Sequence, residues 1–173
     1  MRLQEWLPTL SLRPVLLAIY LNDHLAGSTA ARELVRRAAA SNRGTSYGSF
    51  LEGLRVEIDE DRASLLEVMR TMDVRPDPLK VAGGWAAEKA GRLKLNGRVL
   101  GYSPYSRVVE LEVLKLGVGG KRSLWLALRQ IQAADPRLDG PFLDTLIERA
   151  TSQEQRIEEQ RLRAAEEAFA NGG

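Results

Sequence analysis

Apolar residues recur along this chain at steps of three and four, the spacing that gathers them on one face of an α-helix. Over residues 13–40 that face carries Leu17, Leu21, Ala31, Val35 and Ala38, with His24 and Ser28 in register, and Asn42, Arg43 and Gly44 close the segment. Thr45 or Ser46 then caps a second helix, where Leu51, Leu54, Ile58, Asp61, Leu65, Val68 and Met72 form the clearest amphipathic stripe of the chain.

Two further helices start where a capping residue precedes proline, at Asp77-Pro78 and Ser103-Pro104, because proline suits the first helical position. The first carries Val81, Trp85, Ala86, Ala90 and Leu93 and stops near Asn96-Gly97. The second carries Val108, Leu111, Leu114 and Leu116. Gly117, Gly119 and Gly120 are then expected to break or kink it before Leu124 to Ile131 resumes as helix. After the turn residues Asp135-Pro136 and Asp139-Gly140-Pro141, a final helix is predicted from about Phe142 to Phe169. Leu143, Leu146, Ile147, Ala150 and Ile157 lie on one side of it. Beyond Ser152 its dense opposite charges read as a solvated surface, leaving Ile157, Leu162, Ala165 and Phe169 to meet a partner subunit.

The pattern therefore predicts an all-α fold: an up-and-down four-helix bundle over residues 13–133, an additional C-terminal helix over 141–170, and an N-terminal extension over 1–12. Trp6, Leu7, Leu10 and Leu12 of that extension are expected to pack on the bundle. A length of 173 residues, 44% hydrophobic and 28% charged, suits a single domain with a proper core. The absence of cysteine removes disulfides, thiolate metal sites and cysteine nucleophiles, and fits a reducing, cytoplasmic address. The longest apolar run, residues 14–21, is too short to cross a bilayer, and the start of the chain lacks a signal-peptide cleavage pattern. Charge is segregated along the chain, acidic over 51–74 and 130–173 and basic over 75–129, which lets acidic helices lie beside basic ones.

The order and spacing of these helices resembles the ferritin-like superfamily over about residues 13–133. That resemblance implies a scaffold whose di-iron members use a Glu on each of two helices and Glu-x-x-His on the other two. This chain departs from the motif: Glu57-Ile58-Asp59-Glu60 places Glu-x-x-Glu on the second helix, Glu110-Leu111-Glu112-Val113 lacks histidine, and His24 is the one histidine present. A carboxylate-rich iron or manganese site would have to draw on His24, Glu57, Asp61, Glu88, Glu110 and Glu112. The favoured alternative is a metal-free bundle in which Asp61, on the apolar stripe with Glu57 one turn away, is neutralised by a cation such as Arg92, Arg107 or Lys115. Glu52, Asp59, Glu60 and Glu67 are expected to face water.

Other chemistries find less support. Lys121-Arg122-Ser123 follows a glycine-rich stretch, but Lys115 stands where a phosphate-binding loop needs glycine. A hydrolytic triad would have to use His24, no Gly-x-Ser-x-Gly elbow is present, and Ser28 one turn on reads as a helix-face hydrogen bond to His24. Lys89, Arg92, Lys94, Arg98 and Arg107, with Tyr102 and Tyr105 among them, form a basic, aromatic stretch able to hold phosphate, though without a known nucleic-acid motif. The expected role is thus a non-catalytic structural or protein-interaction protein that self-associates or binds a partner through the C-terminal helix. A metal-binding oxidase or iron-handling protein is the alternative, and anion or nucleic-acid binding comes third.

Overall fold

The computed structural model describes residues 12–80 and 102–170. Among these residues the protein is an all-α helical bundle of four long helices: α1 (Pro14–Ser41), α2 (Ser46–Thr71), α3 (Pro104–Ile131) and α4 (Gly140–Phe169), with a 3-10 turn, Gln132–Ala134, after α3. The third predicted helix beyond Lys80, and Trp6, Leu7 and Leu10, lie outside the described residues. Leu12 packs against the core as expected.

Helix ends follow local sequence. Pro14, Pro104 and Pro141 occupy first-turn positions, and Thr45, Ser103 and Asp139 accept hydrogen bonds from Gly48, Ser106 and Phe142 backbone N–H groups. The α1–α2 turn needs two glycines. Gly44 takes φ +81°, and a Cβ on Gly48 would come within 2.9 Å of the Asn42 carbonyl carbon. At the end of α2, Asp73 adopts φ +57°, and Val74 N–H reaches back to Met69 O at 2.8 Å, closing the helix in the manner glycine usually provides. Asn22, on α1, then clips the connection: its Nδ2 donates to Arg75 O at 3.1 Å and its Oδ1 accepts from Asp77 N–H at 2.6 Å. Asp77 in turn caps helix at residues 78–80 through Leu79 and Lys80 N–H.

Short connections make α1 and α2 one antiparallel pair and α3 and α4 another. The second pairing is visible in its ladder: Arg107 meets Glu167, Lys115 Glu158, Lys121 Gln153, Arg122 Thr151 and Arg129 Asp144, so numbers fall along α4 as they rise along α3. Leu21, Leu25, Leu51, Leu54, Leu111, Leu114, Trp125, Leu143, Leu146 and Ile157 fill the space between the helices.

Two expectations are corrected. Gly117, Gly119 and Gly120 do not interrupt α3, which is continuous from Pro104 to Ile131. Each mid-helix glycine costs up to about 1 kcal/mol, but Leu114, Val118, Leu124 and Trp125 on one face are buried across the glycines and hold the backbone helical. The C-terminal helix is also no solvated appendage. Leu146, Ala150, Gln153, Ile157 and Ala164 form a buried stripe at steps of three, four and seven, so Ile157 belongs to this chain's own core. Leu162 and Phe169 are exposed.

Candidate functional site

Asp61 is the starting point, because a carboxylate that is only 4% exposed on an apolar stripe must be neutralised or lose its charge. Three side chains from two other helices converge on it. Arg149 from α4 approaches Oδ1 at 2.5 Å, Gln153 from α4 donates its Nε2–H to Oδ2 at 3.0 Å, and Lys121 from α3 donates to the same Oδ2. The Lys121 ammonium also donates to Gln153 Oε1, so the fully buried amide has both ends satisfied. One turn earlier on α2, Glu57 takes a two-pronged bond from Arg156, at 3.0 and 2.7 Å. One turn later, Ser64 accepts from Arg149 at 3.3 Å. Glu57, Asp61 and Ser64 thus face Arg149, Gln153 and Arg156 along a polar seam joining α2 to α4, with Lys121 reaching in from α3.

The seam sets proton affinities. The Arg156 guanidinium holds the Glu57 carboxyl below the usual carboxylate range. Burial pushes the Lys121 ammonium down, opposed by the attraction of Asp61. The sequence predicted an internal cation for Asp61, but not these. Lys115 pairs with Glu158, and Arg107 is drawn to the far end of the bundle. Arg92 lies outside the described residues.

Beside the seam, α1, α2 and α3 line a partly open pocket of about 240 Å³ whose wall includes His24, Gly27, Asp61, Arg62, Lys121 and Trp125. His24 is half-buried and stacks edge-on to Tyr20 at 4.7 Å between ring centroids. Ser28 bonds to Leu25 O at 2.7 Å and not to His24, correcting the expected pair, because the near backbone carbonyl is in reach of a helical serine hydroxyl. Burial pushes the imidazole below its ordinary 6.5, with Asp23 pulling the other way.

The sign follows directly. Below pH 6.5 the unfolded chain takes up a proton that the folded one resists, so stability present above that pH is lost as pH falls towards the lower folded value. We expect urea-unfolding free energy to drop between pH 7 and 5.5 in the natural chain relative to His24→Gln. Subtracting the variant cancels the contribution of Glu110, whose affinity for protons is raised by burial. Equal slopes in the two proteins would show that His24 is not held neutral.

The remaining candidates lie apart. Glu110 accepts from Tyr102 Oη at 3.1 Å and faces Arg37 at 3.5 Å, Glu112 is exposed, and Glu88 lies outside the described residues. Among the described residues no three His, Cys, Asp or Glu side chains come together in a way that could hold a metal ion. Asp59 departs from the expected water-facing set: it is half-buried and pairs with Arg32 and with Arg55, the latter at 3.2 Å, while Glu52, Glu60 and Glu67 are exposed.

At the other end of the bundle Asn42, 1% exposed, forms a second polar knot. Its Nδ2 donates to Ala38 O at 2.8 Å and to Tyr102 Oη at 2.6 Å, and its Oδ1 accepts from Arg107 Nε at 2.7 Å. Arg107 also lies 4.3 Å over the Tyr47 ring and reaches Glu167 at 3.1 Å. Loss of solvation pushes the Tyr102 hydroxyl up to about 12. Lys89, Arg92, Lys94 and Arg98 lie outside the described residues.

No helix among the described residues is long and apolar enough to cross a membrane. No family model, curated protein or solved structure matches the chain.

Proposed function

We propose that this chain is a non-catalytic structural or protein-interaction protein on a ferritin-like helical scaffold. The polar seam carries that reading. Glu57 and Asp61, the α2 carboxylates nearest the middle of the bundle, face Arg156, Arg149 and Lys121 where a metal centre would need further carboxylates or imidazoles. An iron or manganese ion between them would meet cationic nitrogens at close range, so the described residues do not fit it, and the seam serves to fix the register of α2 against α3 and α4. The interaction half is supported by Tyr105 and Phe169, 57% and 66% exposed with ring centroids 6.4 Å apart, and by exposed Leu162 on α4.

Anaerobic loading with Fe(II) or Mn(II), gel filtration with light scattering, and elemental mass spectrometry of the eluted protein test both halves in one run. We expect metal far below one equivalent and an assembly larger than a monomer that Leu162→Ser/Phe169→Ser dissociates. Near-stoichiometric metal that a folded Asp61→Asn variant fails to retain would overturn the non-catalytic reading. A monomer unaffected by the double substitution would overturn the interaction reading.

A further inference from the structure

The pocket beside the seam has its mouth between α1 and α3. Of its lining residues, Asp23 and Gly27 on α1 and Gly117 on α3 are exposed, whereas α2 forms the floor with Ile58, Asp61 and Leu65, all buried. Leu114, Val118 and Leu124 add buried apolar wall from α3. Glycines keep the mouth wide, since a Cβ on Gly27, Gly117 or Gly120 would meet nothing within 4 Å. A largely apolar groove between two helices is suited to burying the apolar stripe of one more helix.

The chain on either side of residues 81–101 is fixed at the two ends of this α1–α3 face. At one end Lys80 Nζ donates to Asp23 Oδ1 at 2.6 Å, and Asn22 holds the backbone of Arg75 and Asp77. At the other, Tyr102 Oη accepts from the amide of Asn42, the C-cap of α1, at 2.6 Å and donates to Glu110 on α3. Asp23 and Asn42 are about 28 Å apart along α1 at 1.5 Å per residue. Helix has already begun at the Lys80 end, where Asp77 caps residues 78–80. Carried from Lys80 to Leu95, just before the predicted stop at Asn96-Gly97, it rises about 23 Å, and residues 96–101 are left for the remaining distance and the turn into Tyr102.

We propose that residues 81–95 occupy the groove as a helix parallel to α1, seated against α1 and α3. The Lys80–Asp23 pair sets the register: parallel helices rise equally, so Trp85 comes level with Ser28, next to Gly27. Its indole is the largest side chain on the predicted apolar face of Val81, Trp85, Ala86, Ala90 and Leu93, and it enters between Gly27 and Gly120. The missing Cβ atoms of those glycines make the room. This placement requires neither metal at the seam nor a second copy of the chain.

Tryptophan fluorescence of the full chain tests it. Trp6→Phe leaves Trp85 and Trp125, and subtracting the matching chain with Trp85→Phe isolates Trp85. We expect blue-shifted Trp85 emission, shielded from acrylamide. Gly27→Leu and Gly120→Leu fill the groove and should each move that emission to the red and raise its quenching severalfold, with helical circular dichroism retained. Gly53→Leu, at an equally open and exposed glycine of α2, should change neither. The proposal is overturned if Trp85 emits and quenches as a solvated indole without these substitutions, which would leave the groove to a second copy or another partner. It is equally overturned if Trp85 stays shielded in both groove-filling variants, or if Gly53→Leu exposes it as they do.

Discussion

Asp61→Ala should be among the most damaging single substitutions in this protein, lowering unfolding free energy by about 3–5 kcal/mol. The cost arises less from the lost bonds than from what remains. Lys121 and Arg149, with side chains 16% and 29% exposed, would keep their charges inside the bundle without the carboxylate that neutralises them, and Gln153 would lose an acceptor. For a chain of this size that corresponds to a fall in melting temperature of roughly 6–20 °C. Thermal and urea unfolding followed by circular dichroism measure it. Glu60→Ala, on the exposed face one residue away, is the control: its carboxylate is 3.8 Å from Arg149 and well solvated, so its loss should change stability by less than about 1 kcal/mol.

The second large effect is expected at Asn42, where Asn42→Ala should cost about 2–4 kcal/mol. Asn42 is buried at the α1–α2 turn and bonds three groups from different parts of the chain: Ala38 O, Tyr102 Oη and Arg107 Nε. Hydrogen bonds to charged groups are the stronger ones, and truncation would leave the Arg107 Nε–H without its acceptor. Arg107 keeps Glu167 and the Tyr47 ring, so the site is weakened and not dismantled. The tyrosine titration reads the same substitution independently. With Asn42 gone, the Tyr102 hydroxyl loses a donor that favours its ionised form, so its titration should move further up from about 12. Loss of stability below about 0.5 kcal/mol would show that the knot is incidental.

Much of the scaffold is legible in sequence because the signals are local. The α2 stripe from Leu51 to Met72, the caps at Thr45 and Ser103, Pro104 after the second of them, and the turn residues from Asp139 to Pro141 predict helices that are present. Asp61 is legible for the same reason: an acidic residue in an apolar register requires a partner. The partners are not legible, and two misreadings explain why. Treating Gly117, Gly119 and Gly120 as a break removes Lys121 from the inner face of α3, although it continues the register of Leu114 and Val118. Treating α4 beyond Ser152 as solvated removes Gln153 and Arg156, although Ala150, Gln153, Ile157 and Ala164 carry the buried spacing through a field of charge. In both cases tertiary burial outweighs local propensity, which single-residue signals do not encode.

The central carboxylates of the bundle, Glu57 and Asp61, meet cations from α3 and α4. The claim that Glu57 and Asp61 act through ion pairs stands or falls on coupling between charges on different helices. The most direct measurement is a double-mutant cycle on Asp61→Leu and Lys121→Met by urea unfolding. Asp61→Leu leaves Lys121 and Arg149 without their carboxylate and Lys121→Met leaves Asp61 with Arg149 as its cation, so replacing both relieves the Lys121 part of the cost. The double variant should therefore be more stable than the sum of the two single losses by about 1.5–3 kcal/mol. Losses that add to within about 0.5 kcal/mol would contradict the account, because Asp61 and Lys121 would then be energetically independent.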